Sequence, residues 1–489
     1  MVAKKKLIDI TDEEIEAIYD SGKEATVSFI RTLVDKINEL AGLAEIVKKQ
    51  QEEINQLKAI INKDSHNSNK PPSSDNPFKK RTKSMRKKSG KKPGGQKGHK
   101  GNNLKKVSNP NKIEKLSLPK KCDCGRKLKN AKVIEIITKQ LFDLILSPLF
   151  VTEYQGEIKE CSCGRIHYPE FPENIKNETQ YGNNIKALSV YLKQYGFISY
   201  DRISELFKDI FNVEISQGTL VNFVNECSKN LEPVVCKIKE KLKSSEVCHF
   251  DESGIRIEGR LNWLHTAGTD ELTYYFPHSK RGYEAMVSMG ILPNFTGVAI
   301  HDGWESYFQF KNCLHGLCNQ HHLRELIFFE EKDEKWAKKI KACLIDAKKE
   351  KDKLVFISKK RYLAYTNRLT RLIREGIKLH PEKKKTNRKR GRPKQSKEYN
   401  LLKRLRDNID SVFRFLKIKS VPFTNNRSEQ DVRMVKIQQK VSGTFRSIEG
   451  AFSFCIIRSY ISSIKKCGDS VFEALSSVWS SKIIIPAAL

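Results

Sequence analysis

Disulfides, membrane spans and, over one long window, acidic residues are what this chain does without. Twelve cysteines in 489 residues are too sparse for a disulfide-stapled scaffold, and the N-terminal MVAKKKLIDITDEEIEAIY has no apolar run of the secretory kind. LFDLILSPLF and SKIIIPAAL fall short of the roughly 18 uncharged apolar residues that cross a bilayer. The chain therefore reads as soluble, reducing and cytoplasmic, with no membrane partner. Between Asp75 and Glu114 there is no acid at all, and overall 91 Lys and Arg outnumber 58 Asp and Glu, a formal charge of +33. Such an excess repels itself in a compact state unless a polyanion neutralises it, and nucleic acid is the expected partner. With 38% hydrophobic residues a sizeable core is available, which excludes a wholly disordered chain. The length points to two to four domains.

From Phe29 to Ile61 apolar residues recur at helical spacing, with Leu33, Leu40, Val47, Ile54 and Ile61 standing seven apart. A dimerising coiled coil is expected, because the polar, proline-bearing linker SHNSNKPPSSDN that follows offers nothing to pack against. A helix packed on its own domain is the competing account. Thirteen cations between Lys79 and Lys106 form a like-charge block that cannot fold on itself. Arg86, Lys87, Lys88, Lys91, Lys92 and Lys97 are expected to track phosphates, each neutralised phosphate releasing counterions. A second basic run, Lys383 to Lys397, has nine cations around Arg390-Gly391-Arg392-Pro393. Arg390 and Arg392 there have the pattern of a minor-groove hook.

Cys122-Asp123-Cys124-Gly125 and Cys161-Ser162-Cys163-Gly164 place four thiols in two pairs, each followed by a glycine that lets backbone N–H groups turn toward sulfur. A closed tetrahedral Zn²⁺ site is expected from them, structural because no position is left open to water, with His167 only a reserve ligand. Four free thiols are the alternative, since zinc ribbons normally have two residues, not one, between paired cysteines.

Val247 to Gly268 reads as a strand carrying Asp251, a turn at Glu258-Gly259 and a second strand with Trp263. Tyr274 to Phe276 continues the meander, Lys280 to Met289 is a helix, and Thr296 to Ile300 is a short buried strand ending in His301-Asp302-Gly303. Three antiparallel strands, a helix and a parallel strand with an acid at its tip make an RNase H-like core, with Asp251 and Asp302 side by side. Two carboxylates so placed repel unless a divalent cation bridges them, although either acid alone reads as a cap or turn residue. Near the C-terminus, VPFTNNRSEQDVRMVK becomes helical at Asn426, with Glu429 in the first turn. Glu429 there either completes a metal cage or complements the helix dipole. Cys313, His315, Cys318, His321 and His322 form either a further metal cluster or a buried strand and helix beside the site, with His321 or His322 near the scissile phosphate.

The strings SHNSNKPPSSDNP, KKPGGQKGHKG, HFDESGIRIEGRLNWLHTAGT, KRGYEAM, GILPNFTGVAIHDGWESY, CLHGLCNQHHLREL, VPFTNNRSEQDVRMVKIQQKVSGTFRS and AFSFCIIRSYISS, in this order, resemble the transposases of the insertion sequence 66 family over nearly the whole chain. The resemblance implies a DDE transposase whose acids Asp251, Asp302 and Glu429 hold two Mg²⁺ (or Mn²⁺) ions. These serve metal-dependent cleavage of element ends and strand transfer into double-stranded target DNA. The heptad seam makes a homo-oligomer, at least a dimer, the expected state, at work in the bacterial cytosol on the nucleoid, and whether accessory proteins of the same element are further partners stays open in the sequence. Family members commonly have two residues between the cysteines of each zinc pair, so the spacing here puts zinc in doubt rather than catalysis.

The expected architecture is multidomain α+β. It comprises a coiled-coil helix (1–64), a basic arm (65–110), a zinc-binding module (111–180), a helical DNA-binding segment (181–245), and an RNase H-like α/β core (246–329 and 418–489) interrupted by a helical insertion with the hook (330–417). In the DNA-binding segment, Tyr200 to Phe207 followed by a helix opening at Ser216 resembles a helix-turn-helix, with Gln217, Thr219 and Asn222 toward base edges. Arg433 and Lys436, beyond Glu429, are candidates for contact with non-bridging phosphate oxygens. Asp431 and Glu325 are possible substitutes for the third acid. The competing functions are a DNA-binding regulator that has lost catalysis and a metal-dependent nuclease without strand transfer.

Overall fold

The computed structural model describes residues 10–61 and 177–489, apart from 355–356 and 384–392, together with short pieces between 63 and 175. The chain divides into two compact units, one of residues 1–80, 231–471 and 484–489, the other of 81–230 and 472–483.

The first unit opens with α1 (Asp12–Asp20), started by a reciprocal capping box between Thr11 and Glu14, and α2 (Lys23–Ile61). On α2 the heptad residues Leu40, Val47, Ile54 and Ile61 are 43% to 78% exposed, so among the described residues the apolar seam has no cover.

In the second unit, β1 (Lys159–Glu160) pairs antiparallel with β2 (Ile166–His167), bracketing the second cysteine pair in sequence. Cys122, Cys124, Cys161 and Cys163 themselves lie outside the described residues, as do Arg86, Lys87, Lys88, Lys91, Lys92, Lys97, Arg390 and Arg392. Further on come α3 (Asn183–Val190), α4 (Tyr200–Phe211) and the start of α5 (Gln217–Lys243). Ser199 caps α4, and Asn212 ends it in the left-handed conformation that asparagine tolerates. The Ser216 hydroxyl accepts from the Thr219 N–H at 3.1 Å, starting α5. Gln217 and Asn222 are exposed, and the Gln217 amide donates to Asp201 of α4 at 3.2 Å.

The rest of the first unit is built on a five-stranded mixed sheet of β3 (Val247–Ile257), β4 (Arg260–Gly268), β5 (Thr273–His278), β6 (Val298–His301) and β7 (Leu314–Leu317). The order is β5-β4-β3-β6-β7, the first three antiparallel, with β6 parallel to β3 and β7 parallel to β6. The tight turn between β3 and β4 has Glu258 at φ 51° and Gly259 at φ 75°, the paired positive angles of a two-residue turn that follows the strand twist. Every residue of β6 is buried, as expected of a parallel strand covered on both faces.

Between β5 and β6 lies α6 (Tyr283–Met289), and after β7 come α7 (Asn319–Glu330), α8 (Lys335–Lys353), α9 (Lys359–Leu379), α10 (Lys397–Asp407), α11 (Ile409–Val412) and α12 (Arg414–Lys417). The helices that fill the expected insertion are not a free appendage. Val298, Ile300 and Leu317 of the sheet share one apolar core with Trp336, Ile340, Leu344, Leu369, Leu402 and Phe413. The chain then returns through α13 (Asn426–Ser442) and α14 (Ile448–Cys467), and α15 (Val471–Ser476) passes into the second unit. α14 covers the edge strand β5, and its Ser459 and Ser463 hydroxyls accept from the Tyr275 and Thr273 N–H groups at 2.9 and 3.0 Å. These bonds satisfy donors that would otherwise make β5 an open edge. Among the described residues no helix is long and apolar enough to cross a membrane.

Candidate active site

Parallel pairing puts Val247 opposite Val298 and His249 opposite Ile300. Carried two residues further, the same register sets Asp251 beside Asp302, just past the end of β6. Each acid is anchored locally. Asp251 Oδ1 accepts from the Glu252 N–H at 2.9 Å, Thr266 donates its hydroxyl to the Asp251 carbonyl at 3.1 Å, and Asp302 Oδ1 accepts from the Trp304 N–H at 2.9 Å. Gly303 turns the chain away from the strand at φ 93°, a conformation other residues resist.

Glu429 reaches the site from the first turn of α13. Its Oε1 is shielded from solvent and has no hydrogen-bond partner, the Arg324 guanidinium lying 3.9 Å away. The placement depends on Asn425, immediately before the helix and 2% exposed. Its side-chain NH₂ donates to the Phe250 carbonyl at 2.8 Å, its Oδ1 meets His249 Nδ1 at 2.7 Å, and its backbone N–H donates to Cys318 Sγ at 3.1 Å. One residue thus fastens the start of α13 to β3, beside Asp251, and to the end of β7.

The electrostatics register this convergence. The Asp251 carboxyl is pushed well above the ordinary carboxylate range, first by desolvation and then by the negative charges of Glu252, Asp302 and Glu429. Glu252 is raised as well, by burial and by Asp302, although Tyr307 donates to it at 2.6 Å and Arg281 at 2.7 and 3.0 Å. Arg281 is itself held between rings, 4.9 Å from the Trp263 centroid and 4.3 Å from that of Trp304. Behind Asp302, the buried His301 stacks on Tyr307 at 4.4 Å and meets His315 at 3.0 Å, and burial holds its pKa well below the usual value.

Other residues named from the sequence have different surroundings. Asp431 is bound to Lys466 at 2.8 Å and takes the Thr273 hydroxyl at 3.3 Å, while Glu325 is paired with Arg404 at 2.5 Å. Lys436 donates to the Gly254 carbonyl at 2.7 Å and Arg433 is exposed. Of the five-member Cys and His group, Cys313 donates to the Phe310 carbonyl, His315 is bound to His301 and Phe310, and His322 meets Asn319 at 3.3 Å. Only Cys318 and His321 approach Glu429, with one ligand atom of each of the three within 4.8 Å of the others. A cleft of about 740 Å³, lined by His249, Asp270 and Arg427 among others, contains none of the three acids.

Sequence reasoning missed Glu252, Arg281, Tyr307, His249 and Asn425. Period-two alternation turns Glu252 away from Asp251's face, and no spacing rule predicts that Arg281 closes back on it. For Asn425 the signal was present, an Asn-Asn pair opening the helix that carries Glu429.

Residues 178–453 match the family described as Transposase IS66 family, and residues 21–105 match a family of unknown function, DUF6444. No curated protein matches the chain. The first match takes in more than half of the chain, all five strands of the sheet and the three converging acids. The chain therefore belongs to the IS66 family of transposases.

Proposed function

We propose that this transposase is of the DDE type and acts on DNA through Asp251, Asp302 and Glu429, carried by an RNase H-like core, cutting at the ends of its element and joining them to target DNA. The observation that carries the reading is the convergence of three acids from separate elements, with Asp251 held well above the carboxylate range first by burial and then by neighbouring acids, Asp302 and Glu429 among them. The residues fit a divalent cation. Mutual repulsion and a desolvated Glu429 oxygen that accepts no hydrogen bond are both relieved by positive charge at that place. Mg²⁺ or Mn²⁺, when bound, supplies that charge and makes water, and later a 3′-hydroxyl, acidic enough to attack phosphorus.

The chain's own part is position. Asn425 fixes Glu429 against β3, and Arg281 compensates Glu252 so that this fourth acid does not compete for the cation. Lys436 braces the carbonyl of Gly254 on the same strand. DNA binding falls to the basic arm, to the Arg390 and Arg392 hook, to Arg433 at the site and to the α4–α5 pair, with Gln217 and Asn222 exposed for base edges. Zn²⁺ held by Cys122, Cys124, Cys161 and Cys163 orders the module before that pair, and the α2 seam joins two copies.

The test is cleavage and joining of end DNA in Mg²⁺. Asp251→Asn, Asp302→Asn and Glu429→Gln are each expected to abolish both steps while end binding persists, and double variants should be no worse than singles because the acids act as one unit. Activity surviving all three changes would overturn the reading. Cleavage without joining by the unaltered protein would make it a nuclease.

A further inference from the structure

A second parallel register, that of β7 on β6, brings a sulfur to the site. His301 pairs with Leu317, so the next residues along, Asp302 and Cys318, are neighbours, and the Cys318 N–H donates to the His301 carbonyl at 2.9 Å. Cys318 is fully buried and immediately precedes α7, whose first turn carries His321. Cys318 Sγ, a ring nitrogen of His321 and a carboxylate oxygen of Glu429 lie within 4.8 Å of one another.

Two of these three residues carry ligand atoms that make no hydrogen bond, although Arg324 lies 3.9 Å from the Glu429 oxygen. His321 Nδ1 and Glu429 Oε1 are both shielded from solvent and both lack a hydrogen-bond partner. An unpaired acceptor in such a place costs of the order of 1–3 kcal/mol, so the arrangement is short of a ligand. The sulfur is provided for in a different way. The Asn425 N–H points at Sγ at 3.1 Å, the outer-shell donor that steadies a thiolate against a metal.

We propose that Cys318, His321 and Glu429 form a three-ligand site for a soft divalent ion of the zinc class, sharing Glu429 with the magnesium cage. The ligand set discriminates by chemistry. Magnesium takes oxygen ligands in a strict octahedron, whereas thiolate, imidazole and one carboxylate suit Zn²⁺, Co²⁺ or Cd²⁺ with a fourth position left to water. On binding, the Cys318 thiol gives its proton to solvent and the sulfur takes the metal. Because Glu429 has one carboxylate, an ion held here withdraws it from Asp251 and Asp302. Zinc is then an inhibitor that acts by removing the third acid. The inhibitory half of this proposal rests on the catalytic reading of Glu429, whereas the binding half does not.

The experiment is a Co²⁺ titration of the full chain in which Cys122, Cys124, Cys161 and Cys163 have been changed to Ser, so that thiolate absorption from the paired cysteines is absent. One equivalent of Co²⁺ with a thiolate-to-cobalt charge-transfer band is expected. Cys318→Ser should abolish the band, and His321→Gln should weaken binding by about 100-fold or more. The histidine variant, at a half-buried rather than a fully buried position, covers the case in which Cys318→Ser fails to fold. Absence of the band, or a band unchanged by both substitutions, would overturn the site. In parallel, Zn²⁺ added to a Mg²⁺-supported cleavage assay of the unaltered chain, its paired cysteines already zinc-loaded, should inhibit it, and this inhibition, read relative to each chain's own activity in Mg²⁺ alone, should be lost in His321→Gln. Cobalt binding without zinc inhibition would uphold the site and count against Glu429 as a catalytic acid.

Discussion

Asp431 stands two residues beyond Glu429, and two residues of helix are a rotation of roughly 200°, so the two acids leave α13 on opposite sides. One enters the site. The other is buried against Lys466, with the Tyr275 hydroxyl donating to its carbonyl at 3.0 Å. Neutralising Asp431 leaves Lys466 charged and unpaired, so Asp431→Asn is expected to destabilise by about 3–5 kcal/mol in urea denaturation while the folded fraction still cleaves DNA. Loss of cleavage with unchanged stability would place Asp431 in the site instead. Asp251 carries the reverse expectation. Its folded pKa is raised, so between the unfolded and folded values the native state holds more protons, and stability falls as pH rises through that window. In metal-free protein at neutral pH, Asp251→Asn should therefore raise the melting temperature, and the gain should shrink on acidification. Mg²⁺ should stabilise the unaltered chain, by about 2.7 kcal/mol at a hundred times its dissociation constant, and stabilise the variant less.

At the scale of elements, β3 and α13 do most to assemble the site. β3 is central because it pairs antiparallel with β4 on one side and parallel with β6 on the other, and only the parallel side aligns a second acid. α13 enters through Asn425, which reads the backbone of β3 and the sulfur of Cys318 together. α2 presents the opposite situation, a long helix whose apolar seam has no cover among the described residues. Replacing Leu40 and Val47 by Asp should place charge in the seam between two copies, at several kcal/mol, and sedimentation should show a smaller species. An unchanged oligomer would remove α2 from the interface, whereas a misfolded variant would mean that the helix packs on its own chain.

For the molecule as a whole, the excess of 33 positive charges is expected to govern how it meets DNA. The arm between Lys79 and Lys106 is expected to supply affinity without choice of sequence. Changing Arg86, Lys87 and Lys88 to Gln should weaken binding to all DNA alike and lower the salt dependence by about 0.9 per lost phosphate contact. Selective loss of end binding would show that the arm reads bases.

Local chemistry was legible in the sequence. The Glu258-Gly259 turn, the strand alternation and the heptad spacing each depend on neighbours a few residues apart, and the turn, the strands and the α2 helix lie where those patterns put them. The family motifs picked out Asp251, Asp302 and Glu429 in the same linear way. What remained hidden was decided by contacts between distant positions. The pairing of Arg281 with Glu252, the clasp of Asn425 on Phe250 and Cys318, and the approach of Cys318 and His321 to Glu429 exist only after the sheet has set its register. Linear periodicity records which face a residue occupies. Which residue of another element it meets there depends on strand register and helix entry, and these are set by packing of the whole core.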